Sequence, residues 1–131
     1  MIRRYGIDTS ILVRLLTGDP PESFALCVDR LTALIERGEV FASNQVIGEA
    51  YVAVQHHYGV DKKSAREGLF SVLRSGLVAP LGGPQVFEAL KARGGCGLLD
   101  RLIALDYRDA DLEVLTLDER MGRLPRSRLL T

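Results

Sequence analysis

The stretch Ile2-Arg3-Arg4-Tyr5-Gly6-Ile7-Asp8-Thr9-Ser10-Ile11-Leu12-Val13-Arg14-Leu15-Leu16 decides the fold. Ile2 to Ile7 reads as a short strand, and Ser10 to Leu16 as an apolar helix halted by Gly18-Asp19-Pro20-Pro21. Asp8 and Thr9 lie between them and Ser10 opens the helix, at the carboxyl end of the strand, where open α/β sheets gather their ligands. The same transition recurs downstream. Val40-Phe41-Ala42 is a short apolar strand that runs into Ser43-Asn44, either of which can cap a helix reaching about Tyr58.

The remaining segments extend the alternation. A helix from about Glu22 to Arg37 carries Phe24, Val28, Leu31, Leu34 and Ile35 at core spacing, with Gly38 just past its end. Asp61 can cap a helix from Lys62 to Arg74; Leu77-Val78-Ala79-Pro80 follows as a buried strand or extended edge, and Pro84 to Arg93 as a short helix. After Gly94-Gly95-Cys96-Gly97, Leu98 to Tyr107 is so apolar that a helix there should bury most of its circumference. Val114-Leu115-Thr116-Leu117 reads as a strand ending at Asp118, followed by a helical turn and an extended piece near Leu129-Leu130. Apolar strands without strict alternation suit a parallel sheet covered on both faces, so the expected architecture is a three-layer α/β/α sandwich with a small, mostly parallel central sheet. Residues 1–131 are expected to form one domain, because no linker, repeat or low-complexity tract interrupts them.

Composition narrows the function classes. With 47% hydrophobic and 26% charged residues the chain is expected to fold rather than stay disordered. It has no apolar run long enough for a bilayer and no signal-peptide stretch, so a cytoplasmic protein with no membrane contact is expected. Cys27 and Cys96 are expected as reduced thiols rather than a disulfide. Seventeen basic and 17 acidic residues cancel, which removes bulk positive charge as an argument for nucleic-acid binding and leaves the question to local distribution.

Four acids stand where a core would prefer none. Asp8 and Asp118 each follow a strand directly, and each is open to two readings, helix cap or functional carboxylate; Thr116 should project to the same side as Asp118. Glu49 shares a helix face with Val46, Ala50 and Ala53, and so lies at a rim, pairs with an arginine or binds a cation. Asp100 is the only acid between Cys96 and Leu105, at a place where a helix dipole also favours negative charge. A parallel sheet could bring all four to one mouth. Two unit charges about 6 Å apart repel by roughly 3 kcal/mol at an effective dielectric near 20, so converging carboxylates call for a divalent cation. All-oxygen ligation suits Mg²⁺ or Mn²⁺, which can activate water against a phosphodiester.

These residues resemble the motifs of PIN-domain ribonucleases, and the compact length resembles the VapC-type toxins of toxin–antitoxin pairs. Tyr5 to Leu12 is similar to the family's first-acid motif, Ser43 to Glu49 to the second, and Leu98 to Ala104 to the third-acid helix. Val114 to Arg120, with Leu124-Pro125, is similar to the fourth-acid strand and its tail. The resemblance implies a metal-dependent endoribonuclease that uses Mg²⁺, with Mn²⁺ able to substitute. Asp8 and Asp100 would be the principal ligands, Glu49 and Asp118 would complete the acidic site, and Thr9, Ser10 and Thr116 would support it. It also implies RNA as substrate, a cognate VapB-type antitoxin and a homodimer. Arg101 departs from the small residue that many relatives carry after the third acid; it would bind substrate phosphate or pair with a site acid. Alternatives are a housekeeping RNA-processing PIN nuclease and a non-catalytic PIN-like module that binds a partner protein.

Other motifs carry less. Arg120, Arg123, Arg126 and Arg128 form either an RNA phosphate track or a solvated surface, with Arg120 the substrate-binding candidate. His56-His57 lacks partners for zinc, and Asp106, Asp109 and Asp111 lack the glycine and terminal Glu of a calcium loop, so the latter are expected to be solvated. Gly94 to Gly97 has no phosphate-loop lysine, and neither Cys96 nor Ser43 has an identifiable base. A phosphoacceptor signalling domain is disfavoured, since Asp8 has no acidic neighbour and no lysine follows Lys91.

Overall fold

The structure is a computed structural model, and it describes residues 2–130. In chain order the elements are β1 (Arg3–Gly6), α1 (Thr9–Thr17), α2 (Pro21–Ile35), β2 (Gly38–Ala42), α3 (Asn44–Tyr58) and α4 (Lys62–Leu73). They continue as β3 (Ala79–Pro80), α5 (Gln85–Lys91), α6 (Leu98–Asp109), β4 (Val114–Thr116), α7 (Glu119–Gly122) and β5 (Ser127–Leu129). Every strand pairing is parallel, and each crossover carries helix, which gives the three-layer α/β/α arrangement. The ladders form two pieces. β2 sits between β1 and β3, with Tyr5 opposite Val40 and Phe41 opposite Ala79, while β4 pairs with β5 in a separate ladder.

Side-chain caps fix where the helices start. Asp8 accepts from the Ile11 amide, Ser43 from Val46, Asp61 from Ser64 and Asp118 from Met121. Gly38 has a different role from the helix terminator that its position suggests. It is the first residue of β2, opposite Arg3, and a Cβ there would stand 2.6 Å from the Arg3 carbonyl oxygen. Strand proximity, rather than a helix end, therefore demands glycine.

The main core joins both sides of the larger ladder. Leu12, Ile47, Leu69, Leu98, Val78 and Val86 are its largest fully buried side chains, drawn from α1, α3, α4, α6, the β3 approach and α5. A smaller cluster of Ala104, Val114 and Met121, with Leu124 against it, seats the second ladder on α6. The expectation that α6 buries most of its circumference is not met. Leu98, Leu102, Ala104 and Leu105 are buried, whereas Leu99, Ile103 and Tyr107 are 42%, 46% and 47% exposed. Their four-residue spacing puts them in one stripe, and Leu99 and Ile103 line a groove between α3 and α6 that no other element fills among the described residues.

Candidate active site

The turn between β1 and α1 organises the best-defined part of the site. Asp8 is exposed at the carboxyl end of β1, and its Oδ1 accepts the Ser10 hydroxyl at 2.5 Å and the Ile11 amide at 3.3 Å. The Ser10 hydroxyl, followed by that amide, holds the Asp8 carboxyl below its ordinary value, so it is ionised at neutral pH. Thr9 turns the other way and donates its hydroxyl to Glu49 Oε1 at 2.5 Å. One strand-to-helix turn thus orients Asp8 through Ser10 and reaches Glu49 on α3 through Thr9. Gln45, one turn before Glu49, donates a longer bond of 3.5 Å to its other oxygen.

Asp100 and Asp118 are held differently. Asp100 is half-buried in the first turn of α6, and among the described residues its carboxylate has no hydrogen-bond or ion-pair partner. Asp118 follows β4, in the separate ladder. Its amide donates to the Thr116 hydroxyl at 3.0 Å, and its carboxylate caps α7. Thr116 therefore sets the backbone of the Asp118 turn. Asp8 and Asp118 both cap helices, and both remain exposed at strand ends.

Arg101 stands next to Asp100 and bonds to the backbone ahead of it. Its Nε and Nη2 donate to the carbonyls of Cys96 at 3.1 Å and Gly94 at 2.9 Å, and it forms no ion pair with a site acid among the described residues. It pins the loop that precedes Asp100. Arg120 is exposed on α7. Two of the neighbouring arginines are neutralised, Arg126 by Asp111 and Arg128 by Glu113, each at 2.9 Å.

Asp8 lines a shallow cleft with Tyr5, Phe41, Ser43 and Leu81 at the carboxyl edge of the larger sheet. Glu49 lines the neighbouring α3/α6 groove, of about 550 Å³, with Gln45, Leu99 and Asp106. Asp106 is not simply a solvated helix-end acid. It accepts from Asn44 Nδ2 at 2.8 Å, across 62 positions of sequence. Asn44 is the only polar residue in the buried set, and its Oδ1 has no partner among the described residues. Sequence reasoning missed this link, because neither residue carries a local signal for it. The spacing of Gln45 and Glu49, by contrast, was available.

The donor chemistry suits a hard divalent cation: carboxylates and hydroxyls, with no basic side chain paired to any of the four acids among the described residues. Among those residues no three His, Cys, Asp or Glu side chains stand close enough to hold an ion as a group. Mg²⁺ does not require such a cage, since it keeps several waters and takes one or two carboxylates.

The sequence matches the PIN domain family over residues 5–127. The chain belongs to that family. The match takes in all four acids, from the Asp8 turn to the Asp118 turn, and the three-layer PIN fold agrees with the observed elements. PIN domains are generally metal-dependent nucleases that act on nucleic acids. No curated protein matches the sequence. No helix among the described residues is long and apolar enough to cross a membrane.

Proposed function

We propose that this PIN-domain protein, as one domain spanning residues 1–131, is a Mg²⁺-dependent endoribonuclease and the VapC-type toxin of a toxin–antitoxin pair. The observation that carries the reading is the hydrogen-bonded turn at Asp8-Thr9-Ser10, which orients an ionised Asp8 and reaches Glu49 on another helix. Helix capping requires only the Asp8 bond to Ile11, so the Thr9–Glu49 bond supports a role beyond the cap. Asp8 and Asp100 would hold the metal, with Glu49 and Asp118 completing the acidic site. Mg²⁺, or Mn²⁺ in its place, would supply Lewis-acid stabilisation of phosphodiester charge and a more acidic water. Ser10 lowers the Asp8 carboxyl pKa below its ordinary value, Thr9 orients Glu49, and Thr116 sets the turn that presents Asp118. The exposed stripe of Leu99, Ile103 and Tyr107 supports a protein interface, which suits a homodimer and a VapB-type antitoxin. A cytoplasmic setting completes the proposal.

A second reading, a non-catalytic partner-binding module, is favoured by the capping roles of Asp8 and Asp118. Cleavage of total RNA by the wild type and by Asp100→Asn, each with Mg²⁺, Mn²⁺ or excess chelator, separates the two. The nuclease reading expects cutting by the wild type alone and only with metal. Absence of both cutting and metal binding in the wild type leaves the partner-binding module.

A further inference from the structure

A cleft of about 940 Å³ lies between α4 and the end of α5, with Ala92, Arg93 and Gly94 of the following loop along it. Lys63, Arg66, Lys91 and Arg93 line it against a single carboxylate, Glu67. None of these cations belongs to an ion pair among the described residues, so in a chain whose charges cancel this is a concentrated positive site. Neutral groups hold two of the four cationic heads, those of Arg66 and Lys91. Arg66 Nη1 donates to the carbonyls of Ala89, Leu90 and Ala92 at 3.0, 3.3 and 3.1 Å. Lys91 Nζ lies 5.4 Å from the Phe70 ring centroid and the Arg74 guanidinium 5.5 Å, and Phe70 is braced edge-on by Phe87 at 5.2 Å. Carbonyl dipoles and ring faces position these charges without cancelling them. The C-terminal arginines Arg126 and Arg128, by contrast, are paired with acids.

The shape favours a phosphate-backed strand. The cations line a concavity and come from two helices and a loop, so the charge runs along the cleft rather than sitting on one element. Electropositive grooves of this kind track single-stranded backbones. The 92–97 loop leads into α6 and Asp100, and the Arg101 bonds to Gly94 and Cys96 fix its course. Arg93 and Asp100 are seven residues apart in sequence, so their Cα atoms are at most about 25 Å apart.

We propose that this cleft binds the backbone of single-stranded RNA and leads the strand toward Asp100. The binding stands on the cleft itself; only the direction of the strand rests on the nuclease reading.

The test is fluorescence anisotropy of a labelled unstructured RNA with excess chelator, across a salt titration. It compares the wild type with a Lys63→Gln/Lys91→Gln/Arg93→Gln triple variant and with an Arg3→Gln/Arg30→Gln/Arg37→Gln triple that removes equal charge elsewhere. All six positions are exposed, and thermal melting checks that each variant folds. The cleft triple should lose about tenfold or more in affinity, and its log–log salt slope should fall by about two, near 0.7 for each lost phosphate contact. The scattered triple should change far less. Should the cleft triple unfold, Lys63→Gln and Lys91→Gln singly should each lower the slope by about 0.7. Equal losses in the two triples, an unchanged slope, or a loss confined to anionic vesicles or polyglutamate overturns the proposal. Cleavage of total RNA is scored separately. A wild type that binds through the cleft yet never cuts removes the nuclease reading and keeps the cleft. A wild type that cuts while the cleft triple binds normally removes the cleft alone, and one that neither binds nor cuts removes both.

Discussion

The Asp8–Glu49 half of the acidic set and the Asp100–Asp118 half are built on different principles. In the first, a hydroxyl pair on one turn holds two carboxylates from separate elements, one bond of 2.5 Å to each. In the second, Asp100 stands without a partner among the described residues, and Asp118 follows a short ladder resting on a small cluster. Preorganisation is therefore concentrated at the end of β1, where the larger core supports it. The second half leaves carboxylate oxygens free for a ligand. In the metal site proposed above, the fixed acid would define position and the uncommitted one would complete binding.

The most severe test of this contrast removes acids singly, one from the first half and both from the second. Asp8→Asn and Asp100→Asn should each lower metal-dependent RNA cleavage by about a hundredfold or more, and Asp118→Asn by less. Equal losses at Asp118 and Asp8 would erase the distinction. Packing gives the next effect in size. Leu12→Ala should cost about 3 to 5 kcal/mol of unfolding free energy in denaturant titration, because Leu12 is fully buried in the main core. Met121→Ala, in the three-residue cluster, should cost nearer 2 kcal/mol. A reversed order would mean that the second ladder is the better supported.

Smaller effects probe the hydroxyls. Thr9→Val should reduce cleavage by about tenfold with melting unchanged, since it releases Glu49 without opening the core. Ser10→Ala should move the acid limb of the pH–activity profile upward, because the Ser10 hydroxyl is the first cause of the lowered Asp8 pKa. An unmoved limb would show that Asp8 does not titrate in the reaction. The faintest signal is in stability. Asp8 and Asp61 both have lowered pKa values when folded, so their contribution is present above the unfolded carboxylate value and is lost as pH falls through the folded one. Asp8→Asn/Asp61→Asn should therefore melt with a shallower dependence on pH below about 4 than the wild type.

Much of the fold was legible in the sequence, because it rests on local rules. Ser43 and Asp61 announce α3 and α4 by capping chemistry, and the apolar runs before Asp8, Ser43 and Asp118 mark the strands. Periodicity identified α6 as a helix but misjudged its surroundings: the spacing of apolar residues along a helix does not say whether another element covers each apolar face. Gly38 was misread for a related reason, since a helix end and a close strand neighbour both call for glycine. The acids were legible as candidates, but their partners were only partly so. Ser10 is two residues from Asp8, whereas the Thr9–Glu49 bond spans 40 positions and the Asn44–Asp106 bond 62.

The sequence by itself determined the order of strands and helices, the caps that start the helices, and the placing of Asp8 and Asp118 at strand ends, because each depends on neighbours within about one helical turn. Tertiary structure alone decided that Thr9 reaches Glu49, that Arg101 spends its hydrogen bonds on the 94–96 backbone, and that Arg126 and Arg128 are neutralised while Lys63, Arg66, Lys91 and Arg93 share one cleft. Charge and hydrogen bonding act through space. Which partners meet is set by how distant segments pack, and no local pattern encodes that meeting.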